Sequence, residues 1–195
     1  MSLAFMIFLA AVAAMVIFAI VSYNRLVSLT QRTQSAWSDV DVQLKRRTDL
    51  VPNLVESVKG YAAHERATLD AVIRARGAAV AAQTPESRAQ AEGQLTQALR
   101  GLFALAESYP DLKASANFQA LQASLGEIED AVQSARRYFN AVVRDLNTTI
   151  EIFPSNLVAG LFQFREHAYF ELDRPEERQV RLAVVGVSRQ HHVHP

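Results

Sequence analysis

Residues 3–21 constrain this chain more than any other feature. The run LAFMIFLAAVAAMVIFAIV carries no charge, no proline and no glycine. At about 1.5 Å per residue it makes a helix of about 28 Å, close to the ~30 Å hydrocarbon core of a bilayer. Every lysine, arginine, aspartate and glutamate lies downstream of it. The chain therefore reads as one membrane helix carrying a soluble-type domain. A cleaved signal peptide would need a basic leader, a shorter apolar core and a small-x-small exit. Here only Met1 and Ser2 precede the run, and the exit reads Val21-Ser22-Tyr23-Asn24-Arg25. Ala11-Val12-Ala13 fits a cleavage pattern but lies in mid-run, so a retained anchor over 1–22 is expected.

Flanking charge orients that anchor. An amino group alone precedes the run, whereas Arg25, Arg32, Lys45, Arg46 and Arg47 follow it. The excess of basic residues assigns the C-terminal side to the cytoplasm and the short N-terminus to the outside. The absence of cysteine excludes disulfides, Cys-based metal or redox chemistry and lipidation of an N-terminal Cys. Twenty basic residues balance twenty acidic ones, which argues against bulk nucleic-acid binding, since that needs a basic footprint.

Downstream of the anchor the apolar pattern is helical. Trp37, Val40, Leu44, Val51, Leu54, Val58, Ala62, Glu65, Leu69 and Val72 fall at three- and four-residue steps. Arg47 or Thr48 fills the missing step, and Val55 and Ile73 widen the stripe. The spacing predicts one long helix from 22 to about 82, continuous with the anchor and kinked at Pro52. Thr84-Pro85-Glu86 combines an N-cap hydroxyl, a proline at the first helical position and an acid near the positive dipole end. It predicts a second helix to about 108 with a seam of Ala91, Leu95, Ala98, Leu102 and Leu105. A polar loop follows, with Leu112 as its apolar plug. Phe118, Leu121, Leu125, Ile128, Val132, Ala135, Phe139, Val142, Leu146, Thr149 and Phe153 predict a third helix of about 55 Å. Pro154 stops it, and Ser155 or Asn156 can cap a short fourth helix carrying Leu157, Leu161, Phe162 and Phe164. The expected fold is all-α: a transmembrane helix, then an antiparallel bundle of three long helices and a short fourth over 23–167. An irregular tail over 168–195 would hold the apolar run 182–187.

Chemistry-bearing patterns are missing. No Glu-x-x-His pair exists, and His64-Glu65 lacks the second histidine of a zinc-protease helix. There is no glycine-rich phosphate loop and no Gly-x-Ser-x-Gly elbow. His191, His192 and His194 sit in the tail and read as loose ligands at best. The expectation is a protein with no catalytic, cofactor or metal residues and no small-molecule substrate, hence not an enzyme. Two surface features remain. Lys45, Arg46 and Arg47 form the one basic cluster, and consecutive helical residues span about 200°, so one must turn toward the seam. Arg47 is that residue, paired with an acid such as Asp41. Lys45, Arg46, Arg47 and nearby Asp49 are the candidate contacts for anionic lipid or an acidic partner, with a solvated face as the alternative. Trp37 lies about 24 Å past Val21 along a straight helix, which favours core packing over a membrane interface. Phe153-Pro154 and 162–170 form an aromatic patch in which Phe162 and Phe164 are candidate partner or lipid contacts, with burial over the bundle end as the alternative.

These residues resemble a known family. The block 40–55 (VDVQLKRRTDLVPNLV), followed by Val58-Lys59-Gly60-Tyr61 and His64-Glu65, is similar to the signature of the LemA family. Tyr109-Pro110-Asp111-Leu112-Lys113-Ala114 with Phe118, Leu121 and Gln122 matches its second block. Ala135-Arg136, Tyr138, Asn140 and Phe153-Pro154-Ser155-Asn156 match its third. The resemblance runs from Tyr23 to about Phe170 and departs at Leu146, where the family often has tyrosine, and over 189–195. It implies a bacterial membrane-anchored helical bundle with its N-terminus outside, and no catalytic residues to carry over. Two functions follow as expectations. The first is a membrane-anchored scaffold or adaptor acting through protein partners or self-association. The second is a ligand- or lipid-binding module using a polar groove between helices one and three, built from Lys45, Arg47, Asp49, Asn53, Lys59, Tyr61 and His64.

Overall fold

The computed structural model describes residues 2–171. The expected tail beyond 171, with its apolar run and three histidines, lies outside the described residues. The described residues form six helices: α1 (Leu3–Lys59), α2 (Arg66–Ala81), α3 (Pro85–Ala106), α4 (Pro110–Ala114), α5 (Ala116–Glu151) and α6 (Ser155–Leu161). No strand occurs among the described residues, and the all-α bundle with one long apolar N-terminal helix is as the sequence predicts.

Two different surfaces succeed one another along α1. Residues 3–18 are exposed on every side. From Ser22 onward a single stripe is buried: Leu26, Leu29, Thr33, Ala36, Val40, Leu44, Arg47, Val51, Leu54 and Val58, at unbroken four- and three-residue steps. The pattern changes from apolar all round, as lipid requires, to one buried face, as a bundle requires. Thr33 is tolerated in the stripe because its hydroxyl donates to the Leu29 carbonyl oxygen at 2.9 Å.

The described residues form two compact units, one of residues 2–47 and 125–169, the other of 48–124 and 170–171. In the first, α1 and α5 run antiparallel. Arg47 meets Glu129, the Trp37 and Phe139 rings lie 5.4 Å apart, and Leu26 and Leu29 share a core with Leu146. As one number rises the other falls. Trp37 is half-buried and packs its ring on the buried Phe139. α5 buries Leu125, Ile128, Val132, Phe139, Val142, Leu146 and Thr149. It ends at Glu151, so Phe153 falls off the seam and is 77% exposed.

In the second unit the predicted helix 22–82 is broken. The break is not at Pro52, which stays inside α1, but at 60–65, between α1 and α2. Tight turns replace the helical ladder there: Tyr61 N–H donates to the Val58 carbonyl at 3.0 Å and Glu65 N–H to that of Ala62 at 3.1 Å. Gly60 opens the turn and has the largest backbone entropy to lose in a helix. Leu69, Val72, Ala75 and Ala79 are buried on α2 while Ile73 is exposed, so the stripe there is narrower than expected.

Pro52 has no N–H for the carbonyl four residues earlier, that of Thr48. Arg76 of α2 supplies the missing donor: its Nε reaches the Thr48 oxygen at 2.8 Å. Helix α3 starts as expected, with Thr84 Oγ1 accepting from Ser87 N–H at 3.2 Å and Ser87 Oγ accepting from Thr84 N–H at 3.1 Å. Helices α2 and α3 pack together as a hairpin. Leu112 is fully buried, carried on the short helix α4 where a loop was expected. Asn117 Nδ2 donates to Ser57 Oγ at 3.0 Å, and the Phe103 and Phe118 rings meet at a tilt with centroids 6.1 Å apart.

Candidate functional site

The corner where α5 turns into α6 lies beside the end of the apolar run. Leu26 and Leu29 of α1, Leu146 of α5, and Val158 and Ala159 of α6 form one buried cluster, flanked by Ala19, Ile150 and Phe164. The corner is fixed by local chemistry. Ser155 Oγ donates to the Thr149 carbonyl oxygen at 2.7 Å, satisfying one of the acceptors that the end of α5 leaves open. This corrects the expectation that Ser155 or Asn156 caps α6: Pro154 is its N-cap, with no side-chain hydrogen bond, and the Ser155 hydroxyl faces back to α5.

The far end of α6 is equally determined. Gln163 has φ 57°. In that left-handed conformation its N–H reaches the Gly160 carbonyl at 3.3 Å, and Phe164 N–H reaches that of Ala159 at 3.0 Å. This paired closure ends helices and brings the residue after the left-handed one onto the helix's last turns, which is why Phe164 packs on the Val158–Ala159 cluster. The turn aims Phe162 and Phe164 at Tyr23, with ring centroids 4.7 and 5.8 Å away. Beyond it the chain is tied to α5. Asn147 Nδ2 donates to the His167 carbonyl at 3.0 Å, and His167 N–H donates to Asn147 Oδ1 at 2.9 Å.

Phe162 and Phe164 therefore converge on Tyr23. Phe164 is half-buried and Val158 and Ala159 are buried, whereas Phe162, Leu157, Leu161, Phe153 and Ile152 are exposed. The basic cluster is elsewhere. Lys45 lies about 33 Å along α1 from Tyr23. Lys45 and Arg46 are exposed, and Arg46 Nη1 donates to Gln43 Oε1 at 3.0 Å on the same helix. Arg47 turns inward as the angular argument required and is 4% exposed, with Nη2 3.0 Å from Glu129 Oε1. Glu129, on α5, is a partner that spacing along one helix does not reveal. Asp49 is exposed in the second unit, as are Asn53, Lys59, Tyr61 and His64, and Lys59 pairs with Glu56 one turn back. Among the described residues no three His, Asp or Glu side chains gather as a metal site.

Sequence reasoning missed one polar site. Arg88 and Glu92 of α3 are both buried, Glu92 completely, with Arg88 Nε 3.6 Å from Glu92 Oε1. Arg88 Nη1 also donates to the Ala79 carbonyl at 2.8 Å, near the negative end of α2. Arg88, Glu92, Leu95, Leu99, Leu102 and Ala106 form the seam that α3 buries. Of the predicted seam Ala91, Leu95 and Leu102 are buried, and the charged Arg88 and Glu92 are buried beside them.

Among the described residues one helix is long and apolar enough to cross a membrane and continues into packed helices, which defines the class: a membrane-associated helical protein. The chain belongs to the LemA family, whose model matches residues 36–184. It is similar to magnetosome protein MamQ 1 of Paramagnetospirillum magneticum, 25% identical over 175 residues, covering 76% of this chain and 64% of that protein. Magnetosome protein MamQ of Magnetospirillum gryphiswaldense matches at 25% over 174 residues, with the same coverage. Protein LemA of Metamycoplasma hominis matches at 25% over 158 residues, covering 80% of this chain and 72% of that one. The chain thus spans 64% of the length of the magnetosome proteins it matches.

Proposed function

We propose that this protein is a membrane-anchored, non-catalytic helical scaffold or adaptor that works by association with other proteins or with further copies of itself. It sits in the bacterial inner membrane with a single span, the short N-terminus outside and the bundle in the cytoplasm. The observation that carries this reading is the change of surface along α1. Residues 3–18 are apolar and exposed, and the same helix then buries one stripe from Ser22 onward. An apolar helix left bare by its own chain needs lipid or protein around it. Arg25 and Arg32 just past the run favour the cytoplasmic side for the bundle.

The groove reading has less support. Its arginine is occupied by Glu129, and its other members in the second unit are exposed rather than gathered. Single large apolar side chains stand exposed at Ile73 and Tyr138. Photo-crosslinkers at those two positions, in the full-length protein in its native membrane, test the association. Discrete adducts, together with a multimer or a partner complex by light scattering in lipid nanodiscs, are expected. A strict monomer that yields no adduct at either position would overturn the proposal.

A further inference from the structure

Outside the span, exposed large apolar side chains are mostly scattered singly: Val42, Tyr61, Ile73, Val80, Tyr138. One stretch differs. Ile152, Phe153, Leu157, Leu161 and Phe162 are all exposed, Leu157 to 64% and Leu161 to 77%. Leu157 and Leu161 are one helical turn apart and share a face of α6. The opposite face, Val158 and Ala159, is buried on α1 and α5. So α6 has two apolar faces, and the described residues cover only one.

Its position along α1 says what covers the other. The cluster under α6 includes Ala19, which belongs to the apolar run itself. Tyr23, whose ring Phe162 contacts, stands two residues past Val21, about 3 Å along the helix. If 3–21 spans the hydrocarbon, the corner is at the headgroup level by construction of the fold. Tyrosine at that level, apolar on its body and polar at its tip, is a common interfacial anchor. An amphipathic element lying in the interface buries its apolar face about 5–10 Å into the boundary between headgroups and acyl chains.

We infer that the α5–α6 corner is a lipid-docking surface, with Phe153, Leu157, Leu161 and Phe162 immersed in the same leaflet that α1 leaves. The inference rests on the reading of 3–21 as a membrane span and adds a second point of contact to it. A helix alone leaves the bundle free to tilt and rotate; a second contact on a packed neighbour fixes both. The charged residues that flank the corner in sequence, Arg144 and Arg165 against Asp145, Glu151 and Glu166, carry no basic excess. Apolar burial rather than anionic-lipid attraction therefore drives the docking, and zwitterionic lipid suffices.

The chain has no cysteine, so single-cysteine nitroxide labels can be placed without removing any residue. The full-length protein is reconstituted in phosphatidylcholine vesicles with labels at V12C, L161C and R137C. Arg137 is exposed on α5, about 20 Å from Ile150. Accessibility to oxygen, which favours lipid, is compared with accessibility to a water-soluble nickel chelate. The expected result is high oxygen and low nickel accessibility at both V12C and L161C, and the reverse at R137C. A lipid-exposed V12C with an aqueous L161C overturns the docking while leaving the anchor intact. An aqueous V12C overturns the anchor, and the docking with it. A label at L161C shielded from both reagents means that protein covers the corner, and also overturns the inference. In a second measurement, L157D/L161D should turn a label at F153C from oxygen-accessible to nickel-accessible without releasing the protein from the vesicles.

Discussion

The proline inside α1 gives a sharp energetic test. Pro52 leaves the Thr48 carbonyl without its helical donor, and Arg76 Nε takes that place at 2.8 Å. Thr48 is buried, so water is a poor substitute. A hydrogen bond with one charged partner contributes about 1.5–3 kcal/mol net, and a buried group left unpaired costs about 1–3 kcal/mol. Arg76→Met keeps much of the apolar stem and removes the donor, so it should destabilise by about 2 kcal/mol. Pro52→Ala restores an N–H four residues after Thr48. In that background the carbonyl has a donor from its own helix, and Arg76→Met should cost under about 1 kcal/mol. The four proteins, unfolded by urea in detergent micelles and followed by far-ultraviolet circular dichroism, give a coupling of about 1–2 kcal/mol between two residues that do not bond each other. Equal costs of Arg76→Met in both backgrounds would refute the argument and reduce Arg76 to ordinary packing.

The buried Arg88–Glu92 pair predicts an asymmetric series. Glu92→Ala alone should cost about 3–5 kcal/mol, because it leaves a buried guanidinium uncompensated, whereas Arg88→Met/Glu92→Leu should be less damaging than either single change; an additive series in chemical denaturation would count against it. Gln163 occupies the left-handed region, which costs an L residue about 1–2 kcal/mol. Gln163→Gly should therefore raise stability by about 0.5–1 kcal/mol after glycine's own entropy is subtracted, and a drop in the midpoint of thermal unfolding would contradict the closing-turn geometry.

Much of this molecule was legible from residue spacing, for reasons that also explain the failures. The span is legible because lipid admits no charge over some twenty positions. The stripe Val40, Leu44, Val51, Leu54, Val58 is legible because one buried face of a helix must recur at three and four. Arg47 inside that stripe followed from angle alone. The break at 60–65 was hidden because α2 resumes the stripe in phase with α1, and Glu65, its N-cap, makes no side-chain cap bond that would mark a start. Pro52 looks like the interruption, but its effect on the ladder is absorbed by Arg76, 28 positions beyond the Thr48 carbonyl it bonds. Glu129 and Arg88 were invisible for a related reason. A charge that pairs across helices, or beside a buried carbonyl, has the same letter as a charge in water. The aromatic corner was half-read: Phe162 and Phe164 were singled out, but their meeting with Tyr23 depends on a left-handed glutamine that no turn rule favours.

The central claim is that residues 3–21 hold the chain in the membrane with the bundle on the cytoplasmic side. Single cysteines at Ser2 and Gln122, both exposed, test it directly when intact cells are treated with a membrane-impermeant maleimide. The account predicts carbonate-resistant protein in which S2C is labelled from outside and Q122C only after lysis. Release by carbonate, or labelling of Q122C in intact cells, would contradict it.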